Sequence, residues 1–157
     1  LHSTSRRQRQ MCIRDRAINS GIRSIAATTS EMSEAINVAN ESIAASTERN
    51  SAAKNSGIQS AAVSTGSSSI AKNTGTHSIA VSTGDESEAI VSGGQSVAIS
   101  IGWRSKAKGA LGCWLVLAEC RSKEVIDVKS TQVDGDRIKV NTFYRLKNGE
   151  FVECKGM

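Results

Sequence analysis

The sequence contains no proline, two histidines and five aromatic residues among 157, and all five aromatics (Trp103, Trp114, Phe143, Tyr144, Phe151) follow residue 102. The first hundred residues therefore cannot build a core of ordinary side-chain bulk. No run of about 20 apolar residues occurs, which excludes a transmembrane helix and membrane insertion through one. His2 and His77 are too isolated to make a histidine-based site. There is no Gly-Lys-Ser phosphate loop and no glycine-rich nucleotide fingerprint. Cys12, Cys113, Cys120 and Cys154 lack the close pairing of a zinc site. The last three are expected to be free thiols, with a bridge from Cys154 to either of the others as the alternative. Asp85 is the one aspartate in the repeats, whereas calcium-binding nonapeptides place one in every glycine-rich turn. No cofactor and no metal are expected.

The formal net charge of +5 invites a nucleic-acid partner until its position is checked. Arg6, Arg7, Arg9, Arg14 and Arg16 stand against Asp15, so residues 1–16 carry +4 and the remainder only +1. The body is nearly neutral, and no nucleic-acid binding is expected. Ser5 to Arg16 resembles translated sequencing-adaptor sequence, and residues 1–16 are read as a non-native or disordered leader outside the fold.

What the chain does have is repetition. Gly57, Gly66, Gly75, Gly84, Gly93 and Gly102 recur every nine residues. With the frame carried back to Gly21, the fourth position of all ten units is serine, from Ser24 to Ser105. The sixth is alanine in all ten, from Ala26 to Ala107. Residues two apart share a face of a strand but lie about 200° apart on a helix, so Ser-x-Ala predicts extended structure. A helix competes over Ser30 to Lys54, where alanine and glutamate are frequent. Glycine at position one is expected to supply a left-handed turn.

A second period of eighteen lies over the first. Position eight alternates between Thr28, Ser46, Ser64, Ser82, Ser100 and Asn37, Asn55, Asn73, Val91, Gly109. Alternate units match and adjacent ones differ. This predicts an all-β fold: a parallel β-solenoid, specifically a two-sheet β-roll with eighteen residues per coil, about five coils and a small C-terminal antiparallel β cap. Five coils at about 4.8 Å would span about 24 Å. Positions four, six and eight should point inward, the serine hydroxyls finding backbone carbonyls and Asn37, Asn55 and Asn73 stacking as an amide ladder. An alanine methyl contributes about 0.8 kcal/mol against roughly 1 to 2 kcal/mol for ordering a residue's backbone, so this core needs support from elsewhere.

Positions five and seven should face outward. One sheet then displays Ile25, Ala27, Ile43, Ala45, Ala61, Val63, Ile79, Val81, Val97 and Ile99, a continuous apolar face and the candidate oligomer interface. Its occupant is expected to be a further copy of the chain, in a trimer or another homo-oligomer, or another part of a larger parent chain. The opposite sheet mixes Glu34, Lys54, Lys72, Glu88, Lys106 and Lys108 with apolar residues and should be solvated.

The repeat, assigned to 17–110, gives way to a segment, 111–157, read as a β cap. Cys113 to Ala118, Val125 to Val128 and Ile138 to Val140 are apolar runs. Asn148-Gly149 signals a hairpin and Asp134-Gly135 a turn, with Asp134 and Asp136 read as turn formers rather than acid and base. Trp103, Trp114 and Tyr144 are expected to be core residues, with a binding role as the alternative.

Gly93-Gly-Gln-Ser-Val-Ala-Ile-Ser resembles the head repeats of trimeric autotransporter adhesins, which implies parallel β-rolls with apolar residues facing a trimer axis. Ser51 to Glu153, including Ser105 to Glu119 and Tyr144 to Glu153, resembles an uncharacterised family of bacteriophages, prophages and gut bacteria. That resemblance implies a repeat solenoid with a β tail and a virion-associated or extracellular setting. A non-enzymatic structural or interaction protein is the expected class. A carbohydrate-binding or carbohydrate-active spike recognising a host glycan is the first alternative, with Glu34 and Glu88 too far apart, at three coils, to act as a carboxylate pair. Ice binding, which needs a flat threonine array, is the second; Thr65, Thr74 and Thr83 lie at strand-to-turn positions.

Overall fold

A computed structural model describes residues 15–156, and the leader reading therefore falls almost entirely outside the described residues, as do His2 and Cys12. Eleven short strands follow one another: β1 (Arg16–Asn19), β2 (Ile25–Thr28), β3 (Glu34–Asn37), β4 (Ile43–Ser46), β5 (Ala52–Asn55), β6 (Ala61–Ser64), β7 (Ile70–Asn73), β8 (Ile79–Ser82), β9 (Glu88–Val91), β10 (Val97–Ser100) and β11 (Lys106–Lys108). Four longer ones end the chain: β12 (Trp114–Arg121), β13 (Glu124–Gln132), β14 (Phe143–Lys147) and β15 (Glu150–Cys154). The described residues contain no helix, and Ser30 to Lys54 forms β3, β4 and most of β5.

Odd strands stack in parallel as one sheet, β1-β3-β5-β7-β9-β11, and even strands as the other, β2-β4-β6-β8-β10-β12. Through β11 every step within a sheet is eighteen residues, as in Ile25↔Ile43 and Ala35↔Ala53. The chain is a two-sheet parallel β-solenoid. The described residues form about six coils, where the repeat count gave about five, because Arg16 already belongs to β1, opposite Glu34, and β12 completes the last coil. Asp15 occupies the serine position of that first unit. Its carbonyl accepts from the Glu34 amide at 2.8 Å and its carboxylate from Ser30 Oγ at 2.6 Å, so Asp15 and Arg16 both take part in the first described coil.

The inward face matches the parity argument. The alanines at position six from Ala35 to Ala107 are fully buried, and the position-four serines from Ser33 onward are nearly so. From Ser51 onward the serine hydroxyls join two coils. Ser78 Oγ donates to the Gly57 carbonyl one coil below and is shared with the Thr76 carbonyl of its own turn, while accepting from the Ser60 amide at 3.2 Å. Ser60, Ser69, Ser87 and Ser96 repeat the pattern. The invariant hydroxyl thus satisfies backbone groups at the strand entry, where the sheet ladder does not reach.

The asparagines stack in register but do not form an amide ladder. Asn73 Nδ2 donates to the carbonyls of Ser60 and Ile79 on the facing sheet, and its Oδ1 accepts from the Gly75 amide. Asn55 does the same with Ser42, Ala61 and Gly57. Each amide side chain clamps a turn across the roll, because its reach from position eight brings it nearer that backbone than its neighbour's amide.

The repeat glycines also differ from expectation. The left-handed backbone lies two residues later, at position three, where Arg23, Met32, Glu41, Asn50, Gln59, Ser68, His77, Glu86, Gln95 and Arg104 all have φ between 53° and 57°. From Gly57 to Gly102 position one is glycine because successive turns touch there, while the earlier coils carry Ser30, Ala39 and Glu48 at that position. A Cβ on Gly57 or Gly75 would lie 1.8 Å from the carbonyl oxygen of Ala39 or Gly57 respectively, and one on Gly84 or Gly93 2.1 Å from that of Gly66 or Gly75. The pattern marks close approach rather than chirality.

At the C-terminal end the two sheets simply continue. Strand β12 stacks on β10 in parallel, β13 folds back antiparallel on β12, and β14 and β15 close the other sheet as antiparallel strands beyond β11. The Asn148-Gly149 hairpin forms as expected, both residues left-handed. The β12–β13 turn, at Ser122 and Lys123, is left-handed too but carries no glycine or asparagine signal. Ile138 to Val140 is not a strand; Ile138 is buried in the connection to β14. Leu115, Leu117, Val133 and Tyr144 plug the end of the roll with larger side chains.

Two comparisons test these assignments. Gly75→Ala should lower stability by about 2 kcal/mol or more, whereas Gly94→Ala, with nothing within 4 Å of the added carbon, should change it by no more than about 0.5 kcal/mol. Urea midpoints at constant m decide between them. Likewise Ser78→Ala should cost about 1 to 3 kcal/mol, while Ser82→Ala should be neutral or stabilising, because Ser82 Oγ is buried without a partner.

Candidate functional site

The outer surface of the even-numbered sheet is built by parity alone. With alanine and serine or threonine turned inward, positions five and seven of β2, β4, β6, β8 and β10 face out, and all ten residues named from the sequence are displayed there. They form two straight columns. Ile25, Ile43, Ala61, Ile79 and Val97 stack in one, Ala27, Ala45, Val63, Val81 and Ile99 in the other. Ile25, Ile43 and Ile79 are 64%, 41% and 42% exposed, which is unusual for isoleucines in the middle of a sheet face.

The face is larger than the repeat indicates. Trp114 and Val116 of β12 stack directly on Val97 and Ile99, and Trp114 is 45% exposed. Sequence reasoning missed them because Val97 to Trp114 is a step of seventeen, which breaks the frame. Gln132 and Ser130 of β13 pair with Trp114 and Val116 and end the apolar surface on polar residues. Along one margin run Thr29, Thr47, Thr65 and Thr83, all exposed, as a single column at the strand ends. The intervening flat positions carry Ile, Val and Ala rather than further threonine ranks.

The opposite sheet is charged but not uniformly solvated. Glu34 lies between Arg16, at 3.0 Å, and Lys54, with which it makes a short contact. Glu88 is 4% exposed and pairs with Lys106 at 3.3 Å, the lysine side chain itself being only 13% exposed. This corrects the expectation that both point freely into solvent: β14 lies antiparallel on β11, and Phe143 covers Lys108 and Lys106, with its ring centroid 4.4 Å and 5.7 Å from the two ammonium groups. Register places Glu34 and Glu88 three strands apart, about 14 Å at normal spacing. They do not form a carboxylate pair, and each is held by cations.

Of the three aromatics expected inside, only Tyr144 is buried. Its hydroxyl accepts from the Lys139 amide at 2.9 Å and donates to Glu153 at 3.3 Å. Trp103, at the turn into β11, is 41% exposed, and the Arg104 guanidinium lies over its ring at 4.7 Å. Cys113, Cys120 and Cys154 are free thiols. Cys113 is buried against the Gly93 carbonyl, and burial raises the Cys154 thiol above its ordinary range. Among the described residues no three His, Cys, Asp or Glu side chains converge.

Two carboxylates hold the C-terminal turns. Asp134 Oδ1 accepts from the amides of Ile138 and Asp136, both at 2.9 Å, which lowers its pKa and makes it the turn former expected. Glu119, near the end of β12, accepts from the Gly149 amide at 2.8 Å, and the backbone bonds to Gly149 and Asn148 lower its pKa. No family of protein models, no curated protein and no solved structure matches this chain.

The hydrogen bond from Gly149 ties the β14–β15 hairpin to β12 across thirty residues, and it is stronger when Glu119 is ionised. Because the folded pKa is depressed, its stabilisation is complete above the ordinary carboxylate value of about 4.3 and is lost as pH falls through the folded value. Amide exchange at Gly149 should therefore accelerate in acid before the solenoid opens. Glu119→Ala, which removes the acceptor, should expose the same amide to exchange at neutral pH, and Glu119→Gln, which keeps a neutral acceptor, should remove the acid dependence.

Proposed function

We propose that this chain is a non-enzymatic structural and interaction solenoid that assembles with copies of itself through the outer face of its even-numbered sheet. The observation that carries the reading is the continuity of that face: six stacked strands present two apolar columns, capped by Trp114 and interrupted by no charge. Contiguous apolar surface of this kind is disfavoured in solution unless something covers it. Identical strands at a regular spacing suit a self-complementary contact.

The resemblance to adhesin heads points to three copies around an axis facing this sheet, and the phage and gut-bacterial resemblance to a virion or cell-surface setting. Against a catalytic role stands the engagement of the two outward acids. Glu34 is paired with Arg16 and Lys54, Glu88 with Lys106, and three strands separate them.

Sedimentation of the intact chain at micromolar concentration is the test. The wild type should run as an oligomer, and Val63→Glu with Val81→Glu, both at outward positions, should run as a monomer with an unchanged β-sheet spectrum. A monomeric wild type overturns the reading and leaves a larger parent chain as the occupant of the face.

A further inference from the structure

We propose that the junction of the last coil with the C-terminal hairpin is a binding site for an acidic saccharide, with Arg145 gripping its carboxylate. This site lies away from the apolar columns and does not depend on their assembly.

Register builds it. Ala107 pairs with Tyr144, both turned inward, which places Arg145 on the outer face beside Lys106 and at the edge occupied by the turn residue Arg104. Two adjoining grooves open here, of about 250 Å³ and 280 Å³, and Arg104 and Arg145 line both. The first groove adds Lys106, Lys155, Glu86 and Cys154; the second adds Trp103, Lys147 and Glu119.

The acids in these grooves are already engaged. Glu86 pairs with Arg104 at 3.5 Å, and Glu119 is bound to the Gly149 amide at 2.8 Å. Glu88 holds the nearly buried Lys106 beside them. Arg145, Lys155 and Lys147 have no ion pair among the described residues, so the grooves carry a surplus of positive charge. Arg145 Nε is enclosed, with no hydrogen-bond partner among those residues. An enclosed charged donor without an acceptor is costly, and a guanidinium left without an internal partner keeps its charge for a carboxylate. Because Nε itself is shut off from solvent, an arriving carboxylate meets the guanidinium where Arg145 lines the two grooves, and the neighbouring ammonium groups favour its charge.

The shape selects a sugar over a small ion. Each groove is open along its length and has room for about one sugar ring. Trp103 stands at the wall of the second with part of its ring exposed, a surface on which the apolar face of a pyranose can stack. Arg104 already covers part of that ring, which holds both side chains at the groove wall.

Calorimetric titration of the intact chain at low ionic strength tests this with an oligogalacturonate hexamer, maltohexaose of the same length, and sodium sulfate. The acidic hexamer should bind and the neutral one should not. Arg145→Ala should weaken binding at least tenfold. Arg145→Lys, which keeps the charge and loses the fork, should weaken it about fivefold, and Lys155→Ala about threefold. The latter two keep the test usable if Arg145→Ala fails to fold. The proposal is overturned if the acidic hexamer does not bind, if maltohexaose binds equally, if the Arg145 variants bind as the wild type does, or if sulfate alone is bound.

Discussion

The architecture depends on how closely one turn lies on the next. Parallel strands fix the rise between coils near 4.8 Å, and the turns keep the same rise through a ladder of their own, in which each position-three amide donates to a carbonyl of the next coil, as Gln59 does to Thr76 and His77 to Gly94. The turns also touch backbone on backbone: from Gly57 to Gly102 each repeat glycine lies against the carbonyl oxygen of the turn below. A side chain added at these glycines would meet that carbonyl, whereas the earlier coils carry Ser30, Ala39 and Glu48 at the same position with their strand ladders intact. The serine two strand-face positions before the outermost inward residue secures the contact, because its hydroxyl reaches down to that same carbonyl. Glycine and serine therefore act as one device, three residues apart within a unit.

From this closeness follows the unusual composition. Two sheets joined by such tight turns leave room inside only for methyl groups, hydroxyls and the asparagine clamps, so the interior cannot supply the hydrophobic stabilisation of an ordinary domain. Larger apolar residues are displaced outward, to the columns on the even-numbered sheet, and to the C-terminal end, where Leu115, Leu117 and Tyr144 fill the roll. The charged sheet is bound differently. Its pairs Arg16 with Glu34 and Lys106 with Glu88 link adjacent coils, and the second is sheltered by Phe143. The two faces of one solenoid thus have opposite characters, and this division underlies both the assembly and the saccharide site proposed above.

The sheet architecture, the inward parity and the ten outward residues were legible in the sequence because strand geometry turns a period of two into a face and a period of eighteen into a stack. What escaped was whatever the frame does not encode. Glycine reads alike whether it serves a left-handed turn or a close approach, and only the neighbouring coil distinguishes them. The left-handed residue proved to be position three, which varies from Met32 to His77 and gives no signal. Trp114 and Val116 escaped because one residue is dropped between β10 and β12. Burial of Glu88 and Lys106, and the crowding around Arg145, arise from β14 arriving across the sheet from forty residues away, a tertiary event no local pattern records.

The alternation of unlike units has a consequence for how such a chain can change length. Duplicating one coil inserts a matched pair of strands and leaves every downstream side chain on its former sheet. Duplicating a single nonapeptide would instead exchange the sheets for everything that follows, bringing lysines under the isoleucine columns and asparagines opposite the wrong turns. Growth or loss by recombination is thereby quantised in steps of eighteen codons, and the C-terminal plug, which must meet β10 and β11 in their present order, acts as the checkpoint that rejects odd numbers.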